Sequence, residues 1–488
     1  MLFNSIDFAV FFPIVFVLYW FVTSKNLTIQ NGLIVLSSFV FYGWWDWRFL
    51  FLLLFSSLVD FYVGIALRKE NEPKRRKHLL CISIFLNLGL LGFFKYYNFF
   101  VDNFITAFSF FGQPLHLKTL SIILPVGISF YTFQSLSYGI NVYRRKLEPT
   151  KDIIAFLAFV SFFPQLVAGP IERATHFLPQ FYQKRKFDYD KAVEGMRLIL
   201  WGFFKKIVIA DNCAFYVNDI FTHYTQYSGG TLIMGAVLFS FQIYGDFSGY
   251  SDIAIGLARL FGFDMMRNFN YPYFSKNIAE FWQKWHISLT SWFREYLYLP
   301  LGGNRGSKLL KIRNVFIVFL VSGFWHGANW TFVFWGLINA LFLLPLLIFS
   351  SSKKTLSGIE KETLWPSFFE FFQMLFTFSM VTFAWIFFRA KTLNEAFLYI
   401  KSVFVNPHFF TIRSELTFTN SIIPLFCYLS FLILIEWFGR HNNHVVHPYL
   451  VSKKWHITVA RYGFYFITLL FIILNVKNEA SNFIYFQF

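Results

Sequence analysis

Cysteine is almost missing from this chain: 488 residues hold only Cys81, Cys213 and Cys427. No two of them form a CxxC pair, so neither a disulfide framework nor a zinc knuckle is indicated, and each is expected to be a packing residue in or beside an apolar run. Charge is scarce too. Only 14% of residues are charged, and the 26 acidic side chains are outnumbered by 43 basic ones. Common site signatures are also absent. There is no GxSxG, no GxxxxGK[ST] and no GxGxxG beside a strand, which leaves serine-hydrolase, nucleotide-hydrolysing and dinucleotide-binding readings without support. No internal repeat, heptad seam, low-complexity tract or long linker divides the sequence, so one membrane domain over residues 1–488 is expected.

What the chain has instead is apolar and aromatic surface. Hydrophobic residues make up 56% and aromatic residues 23%, with 73 Phe, 25 Tyr and 15 Trp. The mean hydropathy is +0.50. A soluble domain does not carry this balance; lipid-facing helices with Tyr and Trp at the headgroup level do. The net charge of +17 does not indicate nucleic acid, because Lys and Arg cluster in short loops between apolar runs, the pattern of cytoplasmic loops facing anionic lipid. Met1 to Asp7 contains no Lys or Arg, and no small-residue cleavage site follows the run from Phe8 to Val22. The first segment is therefore expected to remain as an anchor.

A spanning helix needs roughly 20 mostly apolar residues. Such runs lie near 6–22, 31–45, 49–67, 79–101, 122–143, 195–215, 231–256, 367–388, 420–437 and 458–476, and the longer run near 314–350 is expected to fold back as two helices. The fold class predicted is all-α and polytopic, with about 11–13 transmembrane helices. Arg68, Lys69, Lys74, Arg75, Arg76 and Lys77 mark one cytoplasmic loop, and Arg144, Arg145, Lys146 and Lys151 another, which puts the N-terminus outside. If 152–171 crossed the membrane, it would carry Arg173, Lys184, Arg185, Lys186 and Lys191 to the outer side. With Pro164, Gly169 and Pro170 in its sequence, it is expected to be re-entrant and broken, as backbone at membrane depth can be only where protein or a water-filled cavity covers it. Residues 257–313, basic yet aromatic, are expected as half-buried or cytoplasmic-side helices. The stretch 389–418 fits this orientation poorly, because Arg389, Lys391, Lys401 and Arg413 fall on its outer side.

Ionisable groups inside membrane segments are costly, and each is a candidate functional position. His326 stands in VSGFWHGANWTFVFWG, where Gly323 and Gly327 permit close approach of a neighbouring helix or a ligand. Desolvation there favours the neutral imidazole, a general base; the plainer alternative is a histidine hydrogen-bonded between helices. His286 lies in FWQKWHISLTSWFREYLYLPLGGNR, with Lys284, Arg294, Glu295 and Arg305 close in sequence. This is either a binding loop or an interfacial helix whose Trp282, Trp285 and Trp292 sit at the headgroups. Asp246 and Asp252 in YGDFSGYSD, Glu172 after AGPI, Gln134 in PVGISFYTFQSLSY and Asn329 beside His326 are further polar groups that line a site or simply bond helices together. His441, His444 and His447 recur every third residue, but without an acidic or Cys partner they do not predict a metal site.

Five stretches in order resemble the membrane-bound O-acyltransferase family, in particular its bacterial alginate O-acetylation branch. They are LPVGISFYTFQSLSY from Leu124, FFPQLVAGPIER from Phe162, YGDFSGYSDIAIG from Tyr244, FWQKWHISLTSWFREYLYLPLGGNR from Phe281 and VSGFWHGANWTFVFWG from Val321, a core of about 120–340. The resemblance implies a helical funnel with His326 as the catalytic residue and His286 as the second site position. It also implies a cytoplasmic acyl donor, acetyl-CoA, with no bound cofactor. An exported polysaccharide acceptor and an extracytoplasmic acetyltransferase partner follow in the same way, and the location implied is the bacterial inner membrane, multi-pass. Asp246, Lys284, Arg294, Arg305, Asn329 and Gln134 are then candidate substrate-binding residues, and Lys284, Arg294, Arg305 and Lys308 are placed to steer donor phosphates or to serve only as positive-inside charge. Three readings compete: D-alanyl transfer onto teichoic acid from a carrier-protein thioester, a secondary transporter, and a scaffold that recruits the partner without chemistry of its own.

Overall fold

In the computed structural model, which describes residues 1–112, 118–349, 365–406, 422–440, 455–476 and 483, every regular element among the described residues is a helix. In chain order they are α1 (Ile6–Val17, prolonged by a wider turn to Val22), α2 (Leu27–Asp46), α3 (Arg48–Lys69), α4 (Pro73–Leu91), α5 (Tyr97–Phe110), α6 (Ile128–Tyr143), α7 (Ile153–Ser161), α8 (Phe163–Leu166), α9 (Ala174–Phe177), α10 (Tyr189–Phe203), α11 (Asp211–Thr222) and α12 (Gly229–Leu260). There follow α13 (Ile278–Lys284), α14 (Ile287–Phe293), α15 (Lys308–His326), α16 (Trp330–Phe349), α17 (Phe368–Arg389), α18 (Leu393–Val405), α19 (Ile423–Gly439) and α20 (Trp455–Asn475).

Eight helices among the described residues are long and apolar enough to cross a membrane: α2, α3, the joined α4–α5 over Pro73–Phe110, α12, α15, α16, α17 and α20. Ile6–Val22 and α19 are shorter apolar helices. Large apolar side chains stand on their outer faces, among them Phe21, Phe85 and Phe376 at 78%, 77% and 65% exposed, an arrangement that lipid and not water stabilises. The chain is an all-α, multi-pass membrane protein. Besides these two shorter helices, two further runs counted as spans differ from that expectation. The run near 122–143 becomes helical only from Ile128 and is buried along almost its whole length. The run near 195–215 is interrupted by a π turn over Phe204–Ala210 that carries two buried lysines.

The chain forms two compact units, one of residues 1–196 and 254–266, the other of 197–253 and 267–488, with a boundary inside α12. In the first unit, buried polar groups tie helices together. Asp60 of α3 accepts from Ser83 at 2.5 Å and Asn87 at 2.9 Å, both on α4. The loop arginines Arg76 and Arg185, counted from the sequence as orientation-setting loop charge, are buried. Arg76 donates to Leu67 O, Glu70 O and Tyr143 O, closing the C-terminal ends of α3 and α6 where a cation is favoured. Arg185 binds the amide oxygens of Gln30 and Asn31 and stacks on Tyr19 and Phe263.

The 152–171 segment is broken as expected, into α7 and α8, and every residue from 158 to 174 is buried. The break falls at Phe162, with φ −49° and ψ 107°, while Pro164 sits in the first turn of α8, where its missing N–H leaves no helix bond unmade. Gly127, at φ +75°, lies so close to this piece that a Cβ on it would be 2.4 Å from Leu166 O.

In the second unit the 314–350 run folds back as the hairpin α15–α16. Cβ atoms placed on Gly323 and Gly336 would lie 2.2 Å from Phe332 O and 2.3 Å from Phe319 O, so the two glycines let the helix backbones touch. Residues 257–313 form the short α13 and α14 with a 3-10 turn at Pro272–Phe274 and a π turn at Arg294–Tyr298, none long enough to span. Cysteine is a further correction. Cys213 is buried, but Cys81 and Cys427 lie on exposed helix faces, where a small apolar thiol suits lipid as well as it suits a core. Of the 389–418 stretch, α18 is seen, while Arg413 lies outside the described residues, as do His441, His444 and His447.

Candidate active site

His326 is the last residue of α15. The helix stops there because Gly327 takes an extended conformation at φ −162°, and Asn329 then opens α16 by accepting from Thr331 N at 3.0 Å. His326 is 5% exposed, and three aromatic rings surround its imidazole: Trp325 at 5.0 Å, Trp335 at 5.2 Å and Phe388 at 5.4 Å between centroids.

His286 lies between α13 and α14 and is 1% exposed. Its ring sits 4.6 Å from Phe247 and 6.3 Å from Trp325. The two histidines, 40 residues apart in sequence, therefore share the Trp325 indole. An aromatic circuit completes the enclosure: His326 meets Trp335, Trp335 stacks on Trp385 at 5.5 Å, and Trp385 lies 5.1 Å from Trp285, the residue before His286. Such a wall excludes water and lowers the local dielectric, so any charge that develops inside it interacts strongly with nearby dipoles.

Two features set His286 apart. Its backbone is left-handed, φ 44° and ψ 53°, a conformation that costs a residue with a Cβ on the order of 1–3 kcal/mol and persists only where the surroundings impose it. Neither ring nitrogen has a hydrogen-bond partner among the described residues. An unmade bond on a buried polar atom costs about 1–3 kcal/mol, and native structures tolerate it chiefly where the group has other work. Burial pushes the imidazole pKa down from its ordinary 6.5 to about 3, so the ring is neutral throughout the physiological range.

Most of the other expected site residues are committed to the protein itself. Asp246 pairs with Lys206 at 2.7 Å, and Lys206 also meets Asp211 at 2.9 Å. Lys284 is held by Glu280 at 2.7 Å, one helical turn away. The Asn329 amide donates to Lys391 O at 2.8 Å. Gln134 belongs to the first unit, where it donates to Phe159 O at 2.7 Å and accepts from Gln165 at 3.1 Å. Arg294 and Arg305 are exposed. Glu172, fully buried in the first unit, accepts from Met266 N and His176, and that bond raises the His176 pKa above its ordinary value. No group of His, Cys, Asp and Glu among the described residues is arranged to hold a metal ion.

Lys205 and Glu436, which were not singled out from the sequence, are engaged by groups of α12. Lys205 pairs with Asp252 at 2.7 Å, and Glu436 of α19 accepts from the Tyr244 hydroxyl at 2.8 Å. Gly245 and Gly249 make this possible, for they bring α12 against the π turn that carries both lysines. The signal was present in WGFFKKIVIADN and FLILIEWFG, charges embedded in apolar runs.

Comparison with known proteins places the chain among membrane acyltransferases. The model of the membrane-bound O-acyltransferase family matches residues 144–386. The probable alginate O-acetylase AlgI of Pseudomonas aeruginosa is 39% identical over 409 residues, covering 83% of this chain and 75% of that protein. The peptidoglycan O-acetyltransferase of Helicobacter pylori is 36% identical over 434 residues, covering 83% and 80%. The teichoic acid D-alanyltransferase of Bacillus subtilis is 28% identical over 294 residues, covering 58% and 73%.

Proposed function

Because the chain belongs to the membrane-bound O-acyltransferase family, we propose that this O-acyltransferase moves an acetyl group from cytoplasmic acetyl-CoA toward hydroxyls of an exported cell-envelope polysaccharide, with an extracytoplasmic transferase as partner and the bacterial inner membrane as its location. The observation that carries the reading is the pair of buried histidines joined through Trp325 inside an aromatic wall. The relatives named for alginate and peptidoglycan acetylation support the acetyl group and the glycan acceptor.

In the step proposed, the neutral His326 imidazole takes the proton from an acceptor hydroxyl as its oxygen attacks the thioester carbonyl. The tetrahedral intermediate collapses, the C–S bond breaks, and the departing thiolate recovers that proton, so an ester and a free thiol are formed with no net proton change. His286, neutral and without a hydrogen-bond partner at either ring nitrogen among the described residues, donates one N–H to the oxyanion. Acetyl-CoA enters as a substrate, and free coenzyme A leaves as a product. The test is transfer of radiolabel from acetyl-CoA into the envelope polysaccharide fraction of membranes containing either the wild-type protein or His326→Ala, at equal expression. Label that depends on His326 supports the reading, and equal label in both refutes the role of His326. Label absent from both, but present when a carrier-protein D-alanyl thioester is supplied, favours the D-alanyl reading that the Bacillus subtilis relative suggests.

A further inference from the structure

His286 needs something to hold it in a left-handed backbone conformation, and the restraint is visible in the chain on either side. Asn270 N donates to Lys284 O at 2.9 Å before the histidine, and Ile287 N donates to Asn268 O at 2.9 Å after it. The segment 268–270 thus brackets the turn with one backbone hydrogen bond on each flank. Asn268 adds its side chain to the same bracket. Its Oδ1 accepts from the Ser288 hydroxyl at 2.6 Å, and its Nδ2 donates to the Ser251 hydroxyl of α12 at 3.0 Å. Asn268 is 1% exposed, and Ser251 and Ser288 are buried with it. The turn is closed beyond His286 by Thr290, whose N–H donates to His286 O at 3.0 Å.

We propose that Asn268 is the positioning residue of this site: by joining Ser251 to Ser288 and Ile287 it anchors the His286 turn to α12 and fixes the direction of the imidazole. The inference rests on the acyl-transfer reading above. The chemistry suits the task. An amide has a donor and an acceptor on a planar head, and here the acceptor faces the turn while the donor faces the helix. It also explains how a strained residue survives, since the cost of the left-handed conformation is offset by bonds that a relaxed His286 would break. A serine of the YGDFSGYSD motif thereby acquires a purpose that the two carboxylates beside it do not share.

The test measures acetyl transfer from radiolabelled acetyl-CoA in membranes carrying Asn268→Ala, Ser288→Ala, His286→Ala and the double variant Asn268→Ala/His286→Ala, each normalised to correctly folded protein by gel filtration in detergent. A misplacement of about 1 Å at a reacting group lowers turnover on the order of a hundredfold. Asn268→Ala is therefore expected to lose about that much kcat with little change in KM for acetyl-CoA, and Ser288→Ala, which removes one of the three ties, a smaller part. In the His286→Ala background, Asn268→Ala should cost nothing further, because a residue that acts through His286 has nothing left to position. Wild-type kcat in Asn268→Ala and Ser288→Ala beside an impaired His286→Ala overturns the inference alone. A further large loss in the double variant does the same, for it shows a general structural role. Wild-type activity in His286→Ala overturns the site on which the inference rests. If Asn268→Ala does not fold, Ser288→Ala alone and combined with His286→Ala gives the same comparison.

Discussion

Replacing Gly323 by alanine tests whether the α15–α16 hairpin sets the position of His326. A Cβ at residue 323 would lie 2.2 Å from Phe332 O, 3.1 Å from Phe332 C and 3.4 Å from Gly336 Cα. All three are backbone atoms, so no side-chain rotation relieves the clash. Ordinary contact begins at about 3.4 Å, which means the helices must part locally by roughly 1 Å, an overpacking that costs typically about 1–3 kcal/mol. His326 lies three residues further along α15, and Trp335, which it touches, precedes Gly336 on α16. The parting therefore separates the His326 ring from the wall opposite. Gly323→Ala should lose on the order of a hundredfold in acetyl transfer at unchanged expression, with a lower melting temperature in detergent. Gly89→Ala on α4 is the control, since nothing lies within 4 Å of its Cβ. There the usual helix preference for alanine applies, and stability should rise by about 0.5–1 kcal/mol with activity unchanged. Gly323→Ala with wild-type turnover and melting would refute the argument.

Three further outcomes follow from the same packing. His286 has a folded pKa lowered to about 3 against an ordinary 6.5, so the unfolded chain binds a proton that the native one refuses as pH falls below 6.5. Its contribution to stability is full above pH 6.5 and declines below it, by about 1.4 kcal/mol at pH 5.5; the difference in melting between wild type and His286→Gln across pH 5.5–7.5 measures it, and a pH-independent difference would contradict the burial. Lys206→Met leaves Asp211 and Asp246 without their shared cation and should cost about 3–5 kcal/mol in stability, whereas Lys206→Met with Asp246→Asn should recover part of it, as read by thermal unfolding of purified protein. His326→Gln should fold and melt like the wild type but lose acetyl transfer by at least about a hundredfold, measured in the radiolabel assay.

The fold was legible where composition and period act over long stretches. Apolar runs marked the long helices, the 314–350 run announced its fold-back, and the prolines and glycine of FFPQLVAGPIER announced the break in 152–171. Finer features were hidden for physical reasons. Loop charge signals topology on average but does not tell whether a given side chain is buried, and Arg76 and Arg185, counted from the sequence as loop charge, each cap or stack within the protein. A pair such as Lys206 with Asp246 depends on two glycines bringing helices together, which no local window reveals. His326 and His286 were legible as candidates because a histidine among aromatic residues in an apolar chain is conspicuous. The left-handed backbone of His286, and the asparagine that holds it, arise from contacts between segments separated in sequence.

Hydrogen-bond commitment separates the polar residues that build this protein from those left available for chemistry. Gln134, Asn329, Asp246 and Lys284 all looked equally suited to substrate from their sequence context, and each is engaged by the protein: Gln134 by Phe159 O, Asn329 by Lys391 O, Asp246 by Lys206, and Lys284 by Glu280. A substrate group that displaced Phe159 O from Gln134 or Lys206 from Asp246 would leave a polar group buried and unpaired, at about 1–3 kcal/mol and more for a charge. His286 carries no such debt, because neither ring nitrogen has a partner among the described residues. A substrate oxygen that meets its N–H gains a bond in a desolvated setting without breaking one. The same criterion explains why Asn268 belongs to the site's support and not to its reacting groups: its Oδ1, Nδ2 and backbone carbonyl are all engaged, on Ser288, Ser251 and Ile287. Selection acting on turnover would therefore tolerate little change at either position, at His286 for what it leaves unbonded and at Asn268 for what it bonds.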